Sequence, residues 1–265
     1  MIEAVAGFDA VRVRAANPGL FTLDGTNTWV LGRDPAWVVD PGPDLEAHLD
    51  AVAREVAARG GAGGIAITHG HGDHTDGISG LLERLGAEVP VAAMEAGRAD
   101  VGLCDGASFG PLEAVHVPGH AADHLCFVWG LACCSGDAVL GHGSVYVAPG
   151  PGSLSGYLAG LRRLRERPID VILPGHGPVV ADARAKLDEY VAHRMGREQR
   201  LVAALADGIR TESGLLDVVW GDVPALLRPA AAITLAAHLG KLAEEGRLPG
   251  DLEVSGETVR LPRDP

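Results

Sequence analysis

Short aliphatic and β-branched runs recur along the first two thirds of the chain, separated by turn residues and by longer amphipathic stretches. Strands are predicted at residues 11–15, 28–31 and 36–39, followed by a helix over about 44–59. An apolar strand around Ile65 comes next, then a helix over about 75–85. Further strands are predicted at 89–93, 114–117, 125–129 and 131–134, and a helix at 154–167 leads into a last strand at 170–173. Strands and helices interleaved in this way predict an α/β fold whose sheets are covered by helices.

Beyond about Val180 the texture changes. A helical pattern runs over 183–206 and stops at Asp207-Gly208; Thr211 has the character of an N-cap for a second helix reaching about 219. A third helical stretch, 225–245, carries Leu235, Leu239 and Leu242 at helical spacing. Gly246-Arg247-Leu248 then opens a hairpin with strands at 252–254 and 258–261. Three helices and a hairpin make the winged-helix pattern, so the chain divides into 1–180 and a small C-terminal domain, 181–265.

Chemistry concentrates where the Ile65 strand ends. Residues 68–74 are Thr-His-Gly-His-Gly-Asp-His, which puts His69, His71, His74 and Asp73 within six residues. Imidazole nitrogens and carboxylate oxygens are ligands that zinc and its divalent neighbours prefer. His69 and His71 can converge on one ion, while Asp73 and His74, starting the next helix, can reach a second about 3.5–4 Å away. Three more candidates stand at strand ends beside glycines: His120 after Pro118-Gly119, Asp137 after Gly136, and His176 between Gly175 and Gly177. Seven groups suffice for a dinuclear site with one bridging carboxylate.

That succession, His-x-His-x-Asp-His, Pro-Gly-His, Gly-Asp and Gly-His-Gly, resembles the metallo-β-lactamase fold superfamily. Asn17-Pro18, Thr22-Leu23, Gly25-Thr26-Asn27-Thr28-Trp29 and Val39-Asp40-Pro41-Gly42 are similar to its β-lactamase-like protein 2 branch, as is the C-terminal third. The resemblance implies an αββα four-layer sandwich. It implies that His69, His71 and His120 hold one Zn2+, that Asp73, His74 and His176 hold a second, and that Asp137 bridges them. Iron or manganese is the alternative metal. The expected enzyme is a metal-dependent hydrolase using a metal-bridging hydroxide, with Asp73 also orienting the nucleophile or taking its proton. His142, in a glycine-flanked loop after Asp137, is the candidate proton donor or substrate contact; Tyr146 and Asn27 are weaker candidates. His124 is either a ligand-supporting residue or an ordinary strand-start residue. His48 is expected on the surface, and His116, His193 and His238 to be structural or on the surface.

Substrate is less determined. The β-lactamase-like protein 2 branch implies single-stranded RNA cleavage; thioester or carboxylic ester hydrolysis, of the glyoxalase II kind, competes with it. Antibiotic hydrolysis is disfavoured, because the resistance enzymes have Cys in place of Asp137 or lack that carboxylate, and because no signal peptide is visible at the start of the chain. A metal-dependent regulator would need a basic recognition helix, yet 225–245 offers only Arg228 and Lys241. The formal net charge is −13, and residues 181–265 hold 11 Arg plus Lys against 14 Asp plus Glu. Duplex DNA is therefore not an expected partner; a wall for the catalytic cleft or a homodimer contact is. No apolar run is long enough to span a membrane, and the four cysteines show no framework spacing. Both fit a cytoplasmic enzyme.

Overall fold

The computed structural model describes residues 1–86, 88–94, 99–255 and 258–262. In chain order the elements are β1 (Ile2–Ala4), β2 (Ala10–Arg14), β3 (Asn27–Leu31), β4 (Ala36–Val39), α1 (Glu46–Ala57), β5 (Ala62–Ala66), α2 (Gly72–Thr75) and α3 (Ile78–Leu85). There follow β6 (Val91–Ala93), β7 (Val101–Gly102), β8 (Ser108–Phe109), β9 (Leu112–His116), β10 (Leu125–Trp129), β11 (Ala132–Gly136), α4 (Ser153–Arg165) and β12 (Val171–Pro174). The C-terminal part holds α5 (Ala183–Ala206), α6 (Glu212–Trp220), a 3-10 turn (Ala225–Leu227), α7 (Arg228–Glu244) and the hairpin β13 (Glu253–Ser255) and β14 (Thr258–Arg260).

Besides the two-stranded β13-β14 hairpin, the described residues form a seven-stranded sheet in the order β1 to β7 and a five-stranded one in the order β12-β11-β10-β9-β8. The period-2 alternation of their strands explains the layering. In β3, Trp29 and Leu31 face the space between the sheets while Val30 faces α1; in β10, Leu125 and Phe127 face that space while Cys126 and Val128 face α4. One core therefore lies between the sheets, one joins the first sheet to α1 and α3 (Leu49, Val52, Val56, Leu81), and one joins the second to α4 and α5 (Leu158, Leu161, Leu187, Tyr190). This is the expected αββα sandwich. A fourth core, around Leu201, Leu215, Trp220, Leu235 and Leu239, holds the C-terminal helices and hairpin together. Because α5 contributes to both the third and fourth cores, it fastens the appendage to the sandwich.

Some elements differ from expectation for identifiable reasons. The helix foreseen over 75–85 is broken, since the Gly77 N–H bonds the Gly42 carbonyl (2.9 Å) and helix α3 starts only afterwards. The last long helix starts at Arg228, with Pro229 in its first turn, a position where a missing N–H costs no helical hydrogen bond. Strands β1, β7 and β8 have no counterpart in the sequence pattern; two or three residues are too few to show alternation. The fourth core yields a stability prediction. Leu201 is fully buried in it, so Leu201→Ala should lower unfolding free energy by about 2–5 kcal/mol, read as a drop in denaturant midpoint without loss of native helicity.

Candidate metal centre

The strand ends deliver the site. Strands β4 and β5, and likewise β11 and β12, are parallel pairs, so each pair ends at one edge of the sandwich. Asp40 follows β4, Thr68 and His69 follow β5, Asp137 follows β11, and His176 follows β12. His71 is the N-cap residue of α2, which puts Asp73 and His74 in its single turn. His120 stands between β9 and β10 after Gly119. Close approach explains two glycines. Gly136 has φ +47°, and a Cβ on Gly175 would lie 2.5 Å from Asp137 Oδ1 and 2.8 Å from His74 Cε1.

All seven candidate ligands converge. His71 Nδ1 lies 3.0 Å from His69 Nε2 and 3.0 Å from His120 Nε2. His176 Nε2 lies 3.3 Å from Asp73 Oδ2 and 3.3 Å from Asp137 Oδ1, and His74 Nε2 is 3.5 Å from each of the same oxygens. The other Asp137 oxygen, Oδ2, is 3.5 Å from His120 Nε2. One carboxylate thus faces both groups with a different oxygen. Zinc held tetrahedrally at about 2.0–2.1 Å from its ligands puts neighbouring ligand atoms about 3.4 Å apart, which matches these spacings. The buried His74 Nε2 and Asp137 Oδ1 have no hydrogen bond, and His71 Nδ1 faces two other ring nitrogens at once. Cations satisfy converging lone pairs of this kind, whereas protons do so only in part. The residues fit a pair of divalent ions.

Electrostatics points the same way. Burial alone would lower the His74 pKa, but the Asp40 and Asp137 carboxylates outweigh it and raise it well above the usual imidazole range. His176 is likewise raised against burial, to about 9, by Asp137 and Asp73. Asp73, which burial pushes up, is brought down to about 2 by the His176 hydrogen bond and the His74 charge. His69 and His120 are lowered chiefly by burial, His120 to about 4. The cluster therefore draws positive charge onto His74 and His176, the charge that a bound ion would supply.

Supporting contacts hold these groups in place. Asp40 accepts from the Thr68 N–H (2.8 Å) and hydroxyl (2.7 Å), and its Oδ2 lies 2.8 Å from His74 Nδ1, which leaves His74 Nε2 to face the site. The Thr26 hydroxyl donates to Asp73 Oδ2 (3.0 Å) and is itself held by Asn17 (2.9 Å). His124 Nε2 accepts the Asp137 backbone N–H (3.0 Å), and its ring stacks on His69; it supports the ligands through the backbone. Asn27 donates to the Pro174 and Gly177 carbonyls, anchoring the His176 turn, and is not at the centre. In the sequence Asp40 and Thr26 stand out only as parts of motifs, since only the fold brings them to their partners.

Other histidines are placed as follows. His48 is not on the surface: it is buried, with Nε2 3.0 Å from Thr28 Oγ1 and 3.1 Å from the Pro41 carbonyl, and burial lowers it to about 4. It pins the turn that follows Asp40. His238 is buried behind Trp220, and His116 bonds the Ala122 carbonyl. Cys134 lies in the core between the sheets, where burial raises its thiol pKa. His142 is exposed at the mouth of a cavity of about 410 Å³ that reaches down to His120 and Asp137. Its walls come from the sandwich (Leu23, Leu140, Tyr146) and from the C-terminal helices (Trp220, Leu227, Ala231). Tyr146 lies against His120 at 4.7 Å between ring centroids, and Phe21 packs edge-on against Tyr146. Removing Asp40's charge while keeping its shape tests the support it gives. Asp40→Asn should weaken divalent-ion affinity by about 10–100-fold, measured by chelator competition, with the fold intact by circular dichroism.

Comparison with known proteins gives this arrangement a family. A family model described as the β-lactamase-associated winged helix domain matches residues 211–248. The chain is 33% identical over 261 residues to the β-lactamase-like protein 2 homolog of Caenorhabditis elegans, covering 90% of this chain and 85% of that protein. It is 35% identical over 233 residues to an atrochrysone carboxyl ACP thioesterase of Aspergillus chevalieri, covering 81% and 74%. Among solved structures, a metallo-β-lactamase family protein from Thermus thermophilus superimposes with a TM-score of 0.71 at 25% identity, covering 96% of this chain and 98% of that one. This chain belongs to the metallo-β-lactamase fold superfamily, metal-dependent hydrolases, in the β-lactamase-like protein 2 branch that carries a C-terminal winged helix.

Proposed function

We propose that the protein is a dinuclear metallo-hydrolase, zinc-dependent, acting on thioesters or carboxylic esters of small, largely apolar acyl groups. The observation that carries this reading is the cavity of about 410 Å³ that opens on His120 and Asp137 and is walled in large part by aromatic and aliphatic side chains. Its size and lining suit a small organic molecule. The Aspergillus relative's name, an ACP thioesterase, supports thioester chemistry. Single-stranded RNA cleavage, the other expectation, would call for a groove that follows a polyanion, and the net charge of −13 works against one.

His69, His71 and His120 would hold one ion, Asp73, His74 and His176 the other, with Asp137 between them. When bound, the ions lower the pKa of a water from 15.7 to about 7 and polarise the substrate oxygen. Asp73, kept ionised at a pKa of about 2 and fixed through Oδ2 by the Thr26 hydroxyl, would orient the attacking water. Tyr146 and Phe21 cover the centre and exclude bulk water. His142, at the cavity mouth, delivers a proton to the leaving group. Residues 181–265 serve as the far wall: Ala230, Ala231 and Thr234 of α7 face the cavity, which leaves this helix poorly placed to enter a DNA groove.

Turnover by zinc-loaded protein and by Asp73→Ala, on an acyl thioester and on labelled single-stranded RNA in parallel, tests the reading. Thioester hydrolysis should fall by about 10²–10⁴-fold in the variant, and a chelator should abolish it in the wild type. RNA cleavage lost in the variant, with no thioester turnover, would move the assignment to a nuclease.

A further inference from the structure

Besides the ligands His120 and Asp137, the cavity lining contains a charge without a counter-charge. Arg194, on α5, is only 2% exposed and lines the cavity. A guanidinium carries five N–H donors. One reaches the Val145 carbonyl, and the group lies over the Tyr157 ring, 5.6 Å from its centroid, with its charge also felt by the Tyr157 hydroxyl; Nε has no hydrogen-bond partner. No carboxylate pairs with it among the described residues. The nearby acids are engaged elsewhere: Asp222 takes Arg197 with two hydrogen bonds (2.6 and 2.8 Å), and Glu198 takes Lys241 (2.8 Å) and Arg247 (2.6 Å). Asp137, the other carboxylate lining the cavity, faces the metal ligands.

An unpaired buried cation is costly, and a cation–π contact with one carbonyl bond offsets only part of that cost. The surroundings register the excess charge. His193, also in the cavity wall, is lowered to about 4 by burial and then by Arg194 and Arg197; His238, behind it, is lowered to about 3 by burial and then by Arg194. Both rings are therefore neutral at pH 7, and the arginine's field is left to whatever enters. Much of the lining is apolar, with Leu20, Phe21, Leu140, Val145, Trp220 and Leu227, and its polar part includes the Arg197–Asp222 pair and Thr234.

We propose that this cavity selects acyl substrates with an apolar body ending in a carboxylate, and that Arg194 is the specificity-determining residue that receives the carboxylate. A guanidinium edge matches a planar carboxylate with two parallel N–H···O bonds. The reacting carbonyl would lie at the metal centre and the carboxylate at Arg194, both of which line the one cavity. The reaction part of this proposal rests on the acyl-hydrolase reading above; the binding part does not.

Two measurements on zinc-loaded protein test it. In the first, N-acetylcysteamine thioesters, whose carrier is uncharged, are compared as 3-phenylpropanoyl and 3-(4-carboxyphenyl)propanoyl substrates. The carboxylated one should be favoured about tenfold or more in kcat/KM. Arg194→Met should bring the two within about twofold, mainly by raising KM for the carboxylated substrate, and Arg194→Lys should restore part of the preference. In the second, calorimetry compares phenylacetate with phenylacetamide. The carboxylate should bind about tenfold more tightly in the wild type, and the difference should vanish in Arg194→Met.

Wild-type indifference to charge in calorimetry overturns the proposal without recourse to a variant. So does a preference that survives Arg194→Met, since the carboxylate is then held by the metals. If neither thioester is hydrolysed while calorimetry shows Arg194-dependent carboxylate binding, the hydrolase reading fails and the pocket assignment stands. If both thioesters are hydrolysed equally by wild type and Arg194→Met, the hydrolase reading stands and the pocket assignment fails.

Discussion

The carboxylate of Asp40 is the constraint on which the metal centre depends. It lies just past β4 with a positive φ of 53°, a conformation uncommon for a residue with a side chain. From there it takes both the N–H and the hydroxyl of Thr68 and faces His74 Nδ1. One buried group thereby fixes where the chain leaves β5 and which nitrogen of His74 faces the site. It also joins the two parallel strands at the edge where the ligands gather. His48 completes the arrangement by holding the Pro41 carbonyl, so that the turn carrying Asp40 is itself tied to α1.

The second requirement is that the two sheets stay in register at that edge, because each carries part of the site. Backbone and side-chain bonds cross between them there. The Leu125 N–H of β10 donates to the Thr68 carbonyl (2.7 Å), and the Asn27 N–H of β3 donates to the Gly175 carbonyl (2.8 Å). The Asn27 amide and the Trp29 indole both donate to the Pro174 carbonyl. These bonds satisfy backbone groups that would be stranded where strands end, and they set the spacing between Thr68-His69 on one sheet and Gly175-His176 on the other. The ligand geometry is thus a product of how the sandwich closes rather than of the ligands' own interactions, which as bare lone pairs repel.

Much of this was legible from residue types alone. The His-x-His-x-Asp-His run is local, and Gly136-Asp137 and Gly175-His176 announce themselves as strand-end turns, so the candidate ligands could be listed before any fold was known. The alternation in β3 and β10 likewise shows which residues lie between the sheets. Other features have no local signature. Nothing around His48 shows that Thr28 and Pro41 will surround it, and nothing near Asp40 shows that it will meet His74, 34 residues on. The break at Gly77 depends on a carbonyl from Gly42. Arg194 lies in a long, charge-rich helix where an arginine ordinarily faces water; only the packing of α5 between the sandwich and the winged helix buries it.

That last case shows why net charge, which bears on a long polyanion, says little about a small ligand that enters a cavity. At −13 the chain as a whole repels anions at a distance, an effect that salt screens over about 8 Å at physiological ionic strength. Within the cavity the balance is reversed. Asp222 is neutralised by Arg197, Glu198 nearby by Lys241 and Arg247, and the imidazoles of His193 and His238 are uncharged, so away from the metal ligands Arg194 is the charge left unpaired among the described residues. Low-dielectric walls strengthen that potential where screening is weakest. A long polyanion must approach across the acidic exterior, whereas a single carboxylate on an apolar body enters the cavity and meets the cation directly. On the proposed reading the same chain is unfavourable to nucleic acid and favourable to a small organic anion, with the distinction made by the burial of one arginine.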